Sequence, residues 1–293
     1  MSLTILLQLV ASGITLGAVY ALVGLGFVTI YRASGVVNLA QGEFVMLGGM
    51  LTVYLLKGLH LPYWLAALGS LAGVSLLGLV VYQLVVAPLR QSSPLIVLMA
   101  TIGVGLLLQN VALIAWGAYG ANLPGLSGEV PLRFAGVAVL PQSLWVLLMA
   151  AVVLAAMYLF NNRTRWGKAM TATATDPFAA GLCGIHTGSM IRWAFAVSAL
   201  VGALAGLFVA PIVPLNFASG TVFGLKGFVA AVVGGWGKST GAVVGGLALG
   251  LAETLGAGLL PAGYKDAIAF LVLLLILYYR PRGILGASLT EAE

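Results

Sequence analysis

Long apolar runs, broken by single basic residues or short polar stretches, make up most of the chain. About 20 consecutive apolar residues cross the hydrocarbon core of a bilayer as one helix. Eight runs are close to or above that length: 3–31, 35–56, 62–88, 93–118, 143–160, 192–213, 240–260 and 264–280. A ninth, 222–236 (VFGLKGFVAAVVGGW), is short and broken by glycine. That suits a short crossing or a re-entrant segment buried in protein, and a crossing is expected. The pattern predicts an all-α fold: a polytopic membrane helix bundle of eight to nine membrane elements, one of them short or re-entrant. Residues 1–293 are expected to form a single transmembrane domain, because neither long connector, 119–142 or 161–191, has room for a soluble domain.

Composition removes the soluble classes. Of 293 residues, 61% are hydrophobic and only 7% charged, against about a quarter charged in soluble domains. The net charge of +6 comes from residues scattered between apolar runs, with no aromatic-interleaved basic patch, so no nucleic-acid partner is expected. These cations read as topology signals. Arg32, Arg90, Arg163, Arg165, Lys168, Arg192, Lys238, Arg280 and Arg282 fall on one side of the alternating spans, and Lys57, Arg133, Lys226 and Lys265 on the other. The richer side is cytoplasmic, which puts the N-terminus outside, 119–142 in the periplasm, and 161–191 and the C-terminus in the cytoplasm. The first run lacks a basic leader and is too long for a signal core, so it is expected to stay as a membrane helix. The single cysteine, Cys183, excludes an internal disulfide.

Glycine recurs at four-residue spacing at Gly13 and Gly17, Gly202 and Gly206, Gly241 and Gly245, and Gly246 and Gly250. On a helix this makes a smooth face for close approach. FVMLGGMLTVYL and FVAAVVGGWGKSTGAVVGG share a faint similarity that hints at an internal duplication. GGWGKST (234–240) resembles the end of a phosphate-binding loop, but Val232 stands where such a loop needs glycine, and apolar segments flank it on both sides. It reads as a tight connector at the membrane surface.

Ionisable and amide side chains inside apolar runs are costly and are functional candidates. Asn38, Gln41 and Glu43 fall within two turns of the second run and are expected on one polar face toward a cavity or helix junction. Glu253 lies inside the 240–260 run, and the pair Gln109 and Asn110 inside the fourth, both expected to face the protein interior. Neither glutamate has an evident His or Lys partner in the sequence. His60 and His186 fall at a helix end and in a loop, so no catalytic set and no metal site is expected. Within 161–191, Asp176 as cap and Pro177 at the first position predict a short surface helix over 177–183, ended by Gly184, with the small residues Ala179, Ala180 and Gly181 leaving room for a partner. From the residues alone, an ion-coupled secondary transporter using Glu43 and Glu253 is also open.

Several stretches together resemble one family. LGAVYALVGLGFVTIYRASGVVNLAQGEF (16–44), ATIGVGLLLQN (100–110), GKAMTATATDPFAAGLCGI (167–185), GLKGFVAAVVGGWGKSTGAVVGGLALGLAE (224–253) and YKDAIAFLVLLLILYYRPRGILG (264–286) are similar to the permease subunits of bacterial high-affinity ABC importers for branched-chain amino acids. Urea and short-chain amide permeases share these motifs, and sugar permeases carry Asp-Leu-Ser-Val-Gly in place of NLAQG. Lys238 departs from the usual, less basic connector. The resemblance implies a multi-pass permease of the bacterial inner membrane, working by alternating access and not itself an enzyme. It implies as partners a second homologous permease, two cytoplasmic ATPase subunits that hold ATP and Mg, a periplasmic substrate-binding protein, and membrane lipid; no cofactor is expected in this chain. It also makes Ala172, Asp176, Pro177, Ala179, Ala180, Gly184 and Ile185 the ATPase-coupling loop.

Overall fold

The computed structural model describes residues 3–286 except 91, 121, 129, 135–136 and 260–264. In chain order the helices are α1 (Leu3–Ser34), α2 (Gln41–Val53, continued by a π-helical turn over Tyr54–Gly58), α3 (Tyr63–Val81, continued likewise over Tyr82–Val86), α4 (Pro94–Trp116), α5 (Pro141–Arg163), α6 (Arg165–Thr175), α7 (Pro177–Leu182), α8 (Thr187–Val209), α9 (Ser219–Gly234), α10 (Ser239–Leu259) and α11 (Lys265–Tyr279). Between α4 and α5 lies a hairpin of β1 (Leu132–Phe134) and β2 (Val137–Val139), which pairs Leu132 with Val139. The pattern of apolar runs did not foreshadow it. Gln8 holds the hairpin to α1, donating to the Ala138 carbonyl at 2.7 Å and accepting from the Ala138 amide at 2.9 Å.

Among the described residues, α1, α3, α4, α5, α8 and α10 are long and apolar enough to cross a membrane. The bundle is therefore the multi-pass helical one that the hydrophobic runs predict. One run differs in form. The stretch 35–56 does not enter as a helix, because residues 36–40 are irregular and α2 starts only at Gln41. Likewise α9, of 16 residues, follows an irregular stretch over 210–218.

Both short helices begin at half depth. Gln41 lies beside Ser198, the midpoint of α8, and Phe223 lies beside Tyr20, near the midpoint of α1. From there α2 runs parallel to α8, with Phe44 beside Gly202 and Gly49 beside Gly206. Helix α9 runs parallel to α1, bringing Phe228 onto Phe27 and Trp236 onto Tyr31. Helices α1 and α8 are themselves antiparallel, with Gly26 against Ser198 and Ala33 clustered with Ala194 and Met190. The segments α1–α4 and α8–α11 thus repeat one arrangement in opposite orientation, the inverted repeat common in transporters.

The four glycine pairs are used inside the chain. Gly13 and Gly17 of α1 face Gly250 and Gly246 of α10, so a Cβ on Gly246 would meet the Ala21 backbone at 2.5–2.7 Å. Gly202 and Gly206 take α2, and Gly241 and Gly245 take the end of α9. Apolar contacts between helices gain little over lipid, so this close backbone approach is what holds them. All four glycine pairs thus serve helix contacts within the chain. Gly246→Leu is expected to lower the melting temperature of the detergent-purified protein, at a cost of about 1–3 kcal/mol. Gly103→Ala, with open space around it, should melt at or slightly above wild type. Equal melting of Gly246→Leu and wild type would remove the α1–α10 contact as a determinant.

A candidate translocation site where two helix ends meet

The irregular entries to α2 and α9 are built alike. Asn38 accepts from the Ala40 amide at 3.2 Å, and Asn216 accepts from the Ala218 amide at 3.0 Å. In each case the helix begins three residues after the asparagine. These Asx turns satisfy backbone groups that hydrocarbon could not. Thr101 of α4 accepts from the Leu39 amide at 3.2 Å, and Ser219 accepts from the Asn216 amide at 2.9 Å. The sequence carries this repeat openly: NLAQGE at 38–43 and NFASGT at 216–221 match at Asn, Ala and Gly. This register pairs Phe44 with Val222, whereas the similarity between FVML and FVAA pairs Phe44 with Phe228, six residues off. The glycines of the two copies touch, since a Cβ on Gly42 would run into the Gly220 and Gly224 backbone.

The three polar residues of the first copy part company. Asn38 precedes the helix, and Gln41 and Glu43, two residues apart on α2, point about 160° from one another. They cannot share the single polar face expected of them. Gln41 turns into the protein, where Ser198 Oγ donates to its Oε1 at 2.7 Å and its Nε2 donates to the Ser198 carbonyl at 3.1 Å. Glu43, 3% exposed, turns toward α9 and accepts from Thr221 Oγ at 3.4 Å on Oε1. Its Oε2 is buried with no partner among the described residues, as is Asn38 Nδ2.

Glu43 lines a cavity of about 220 Å³ between α1, α2, α4 and α9. Its other polar lining is Thr221 and Gln109; the walls include Phe27, Leu39, Ile102, Leu106, Leu225 and Phe228. Gln109 lines this cavity while half-exposed, and Asn110 is exposed, its amide returned to the Leu106 carbonyl of its own helix at 2.7 Å.

Glu253 belongs elsewhere. It is fully buried, and Lys226 Nζ reaches its Oε1 at 2.8 Å while Tyr20 OH donates to its Oε2 at 2.9 Å. Lys226 also pairs with the exposed Asp266 at 2.9 Å. The sequence shows no lysine partner for Glu253 because the two are 27 residues apart, and the antiparallel α9–α10 hairpin brings them level. Lys226, which reads as a cation of an outer connector, is thereby a buried side chain of α9.

The 161–191 stretch folds into two helices. Helix α6 is capped by Thr164, whose Oγ accepts from the Gly167 amide at 3.0 Å. Helix α7 has the expected cap, with Asp176 accepting from the Phe178 and Ala179 amides at 2.9 and 3.0 Å, and Gly184 (φ 79°) follows it in the left-handed region. Ala179 is exposed, but Ala180 is 5% exposed and packs inward, so it does not form part of an open surface. Phe178 and Leu182, 76% and 77% exposed, are the side chains offered outward. Ala172 and Ile185 are half-buried, and Ile185 packs beside Ala33 and Met190. The GGWGKST connector joins two antiparallel helices, and Lys238 donates to the Leu285 carbonyl at 2.8 Å, tying down the segment after α11.

A multi-pass helical bundle built on an inverted repeat, with two part-length helices meeting end to end at half depth, has the build of a membrane permease. The family model described as "Branched-chain amino acid transport system / permease component" matches residues 9–277, and the chain belongs to that family. It is 32% identical, over 97% of both chains, to the high-affinity branched-chain amino acid transport system permease protein LivH of Salmonella typhimurium. The match to BraD of Pseudomonas aeruginosa is the same in identity and coverage. A probable LivH from Methanocaldococcus jannaschii is 30% identical over 91% of this chain and 88% of its own. Among solved structures, PsaBC from Streptococcus pneumoniae in complex with Fab shares the fold at TM-score 0.51 and 15% identity, with 95% of this chain covered and 92% of that one.

Removing one partner of the buried pair should be costly. Lys226→Met is expected to destabilise the protein by about 3–5 kcal/mol, and adding Glu253→Gln to recover part of that, because no buried charge is then left unpaired. Thermal melting of both variants checks this; no recovery in the double variant would contradict the pairing.

Proposed function

We propose that the chain is the membrane-spanning permease subunit of a binding-protein-dependent ABC importer for branched-chain amino acids. What carries the reading is likeness along 97% of the chain to relatives named for that transport. The mostly apolar cavity at half depth, with one carboxylate at its head, supports it. In this reading substrate passes by alternating access, with Glu43 and Gln109 on the path. Asn38 and Gln41 support the helix ends, and Glu253 is a fixed structural charge.

The irregular entries and short helices together complete two further crossings, α2 and α9, and with α11 make nine. The N-terminus is outside and 119–142 periplasmic, while α6, α7 and the C-terminus are cytoplasmic in the inner membrane. With Lys226 buried, the outer side keeps only Lys57, Arg133 and Lys265, which strengthens the basic bias toward the inner side. A second homologous permease covers the flank of α4, where the cavity lining and the exposed amide of Asn110 would otherwise meet lipid. Two ATPase subunits hold ATP and Mg and receive α7, with Phe178 and Leu182 as the inserted side chains. A periplasmic binding protein delivers the substrate.

In proteoliposomes holding the full complex and its binding protein, uptake of leucine, isoleucine or valine with ATP hydrolysis is expected; uptake of urea or acetamide in their place would overturn the substrate. Phe178→Asp with Leu182→Asp should leave the permease inserted while uptake falls about tenfold or more, as for a lost interface anchor. Normal uptake would reduce α7 to a connector. In sealed cells, thiol reagent is expected to reach Ser127→Cys from outside but Cys183, exposed beside α7, only after permeabilisation. The reverse pattern would invert the orientation.

A further inference from the structure

We propose that Glu43 Oε2 is the docking point for the α-ammonium group of an amino acid whose branched side chain lies against Ile102, Leu106, Leu225 and Phe228. This deepens the importer reading and rests on it. A carboxylate oxygen shut away from water without a donor is costly. Glu43 is 3% exposed, its Oε1 is engaged by Thr221, and its Oε2 has no partner among the described residues. The carboxyl group packs against Gly220, where a Cβ would collide with it. The cavity that Glu43 lines is the open space beside this carboxyl group.

The surroundings limit what that donor is. The buried cation among the described residues, Lys226, is committed to Glu253 and Asp266. The positive ends of α2 and α9 meet beside Glu43 but are built into the fold. A calcium or magnesium ion needs six or more oxygens, and the cavity lining supplies only Glu43, Thr221 and the Gln109 amide as polar side chains. An ammonium group brings its own donors and needs few acceptors. About 220 Å³ is below the ~300–1,000 Å³ of drug-sized pockets, which suits one small molecule. The first turn of α9, at Thr221, and the Gln109 amide face the same space and can take the carboxylate of the zwitterion.

The test uses a diazirine-bearing leucine analogue on the assembled complex in proteoliposomes, with the labelled peptides mapped after illumination. Label is expected within 102–109 and 221–228. On wild type, 3-methylbutylamine, which keeps the ammonium, should compete, and 4-methylpentanoate, which lacks it, should not. Glu43→Gln should weaken labelling about tenfold or more, the scale of one hydrogen bond to a charged group, and Glu43→Asp should lose less. The competition arm needs no variant, so a misfolded Glu43→Gln does not shelter the proposal. Leucine uptake combined with equal competition by both analogues, or with label elsewhere, overturns the ammonium site and leaves the importer reading standing. Absence of leucine uptake alongside urea uptake overturns both.

Discussion

Gly42 of α2 and Gly220 of α9 bring two helix N-termini into contact at half depth, and the rest of the bundle is arranged around that contact. A helix that starts inside a bilayer leaves amides that water cannot reach. Here the start of α2 is surrounded by protein, while Thr221 and Val222 in the first turn of α9 are exposed. Asn38 and Asn216 close the entering turns, Thr101 and Ser219 take further amides, and the long helices α1 and α8 wall the pair on either side. Any side chain at Gly42 would push the two starts apart, so the glycine matters for the approach it permits.

The same logic explains the other glycines. With no hydrophobic gain over lipid, the helices are held by close packing, and the α1–α10 and α2–α8 contacts use glycine where backbones meet. These smooth faces are satisfied within the chain, and the flank of α4 carries the half-exposed Gln109 and exposed Asn110.

The two buried glutamates show how environment separates static charge from available charge. Glu253 has Lys226 and Tyr20 on its two oxygens, so it joins α1, α9 and α10. Glu43 has one oxygen without a partner among the described residues, beside a cavity, in a position its repeat partner Thr221 fills with a hydroxyl. At the centre of the inverted repeat one copy carries a carboxylate and the other a hydroxyl, which gives the junction one acidic side.

Much of this was legible beforehand. Apolar run length gives the membrane class and most spans, because burying that many apolar residues in water-free surroundings leaves the helix as the available form. The Asp176, Pro177 and Gly184 signals give α7, since capping is local chemistry. Even the central repeat stands in plain letters as NLAQGE and NFASGT. What tertiary structure alone decided is which polar groups meet: that Lys226 finds Glu253, that Gln41 turns to Ser198 while Glu43 turns to Thr221, and that Ala180 faces inward while Phe178 faces out. These depend on the relative depth and rotation of helices distant in sequence, which local periodicity does not encode.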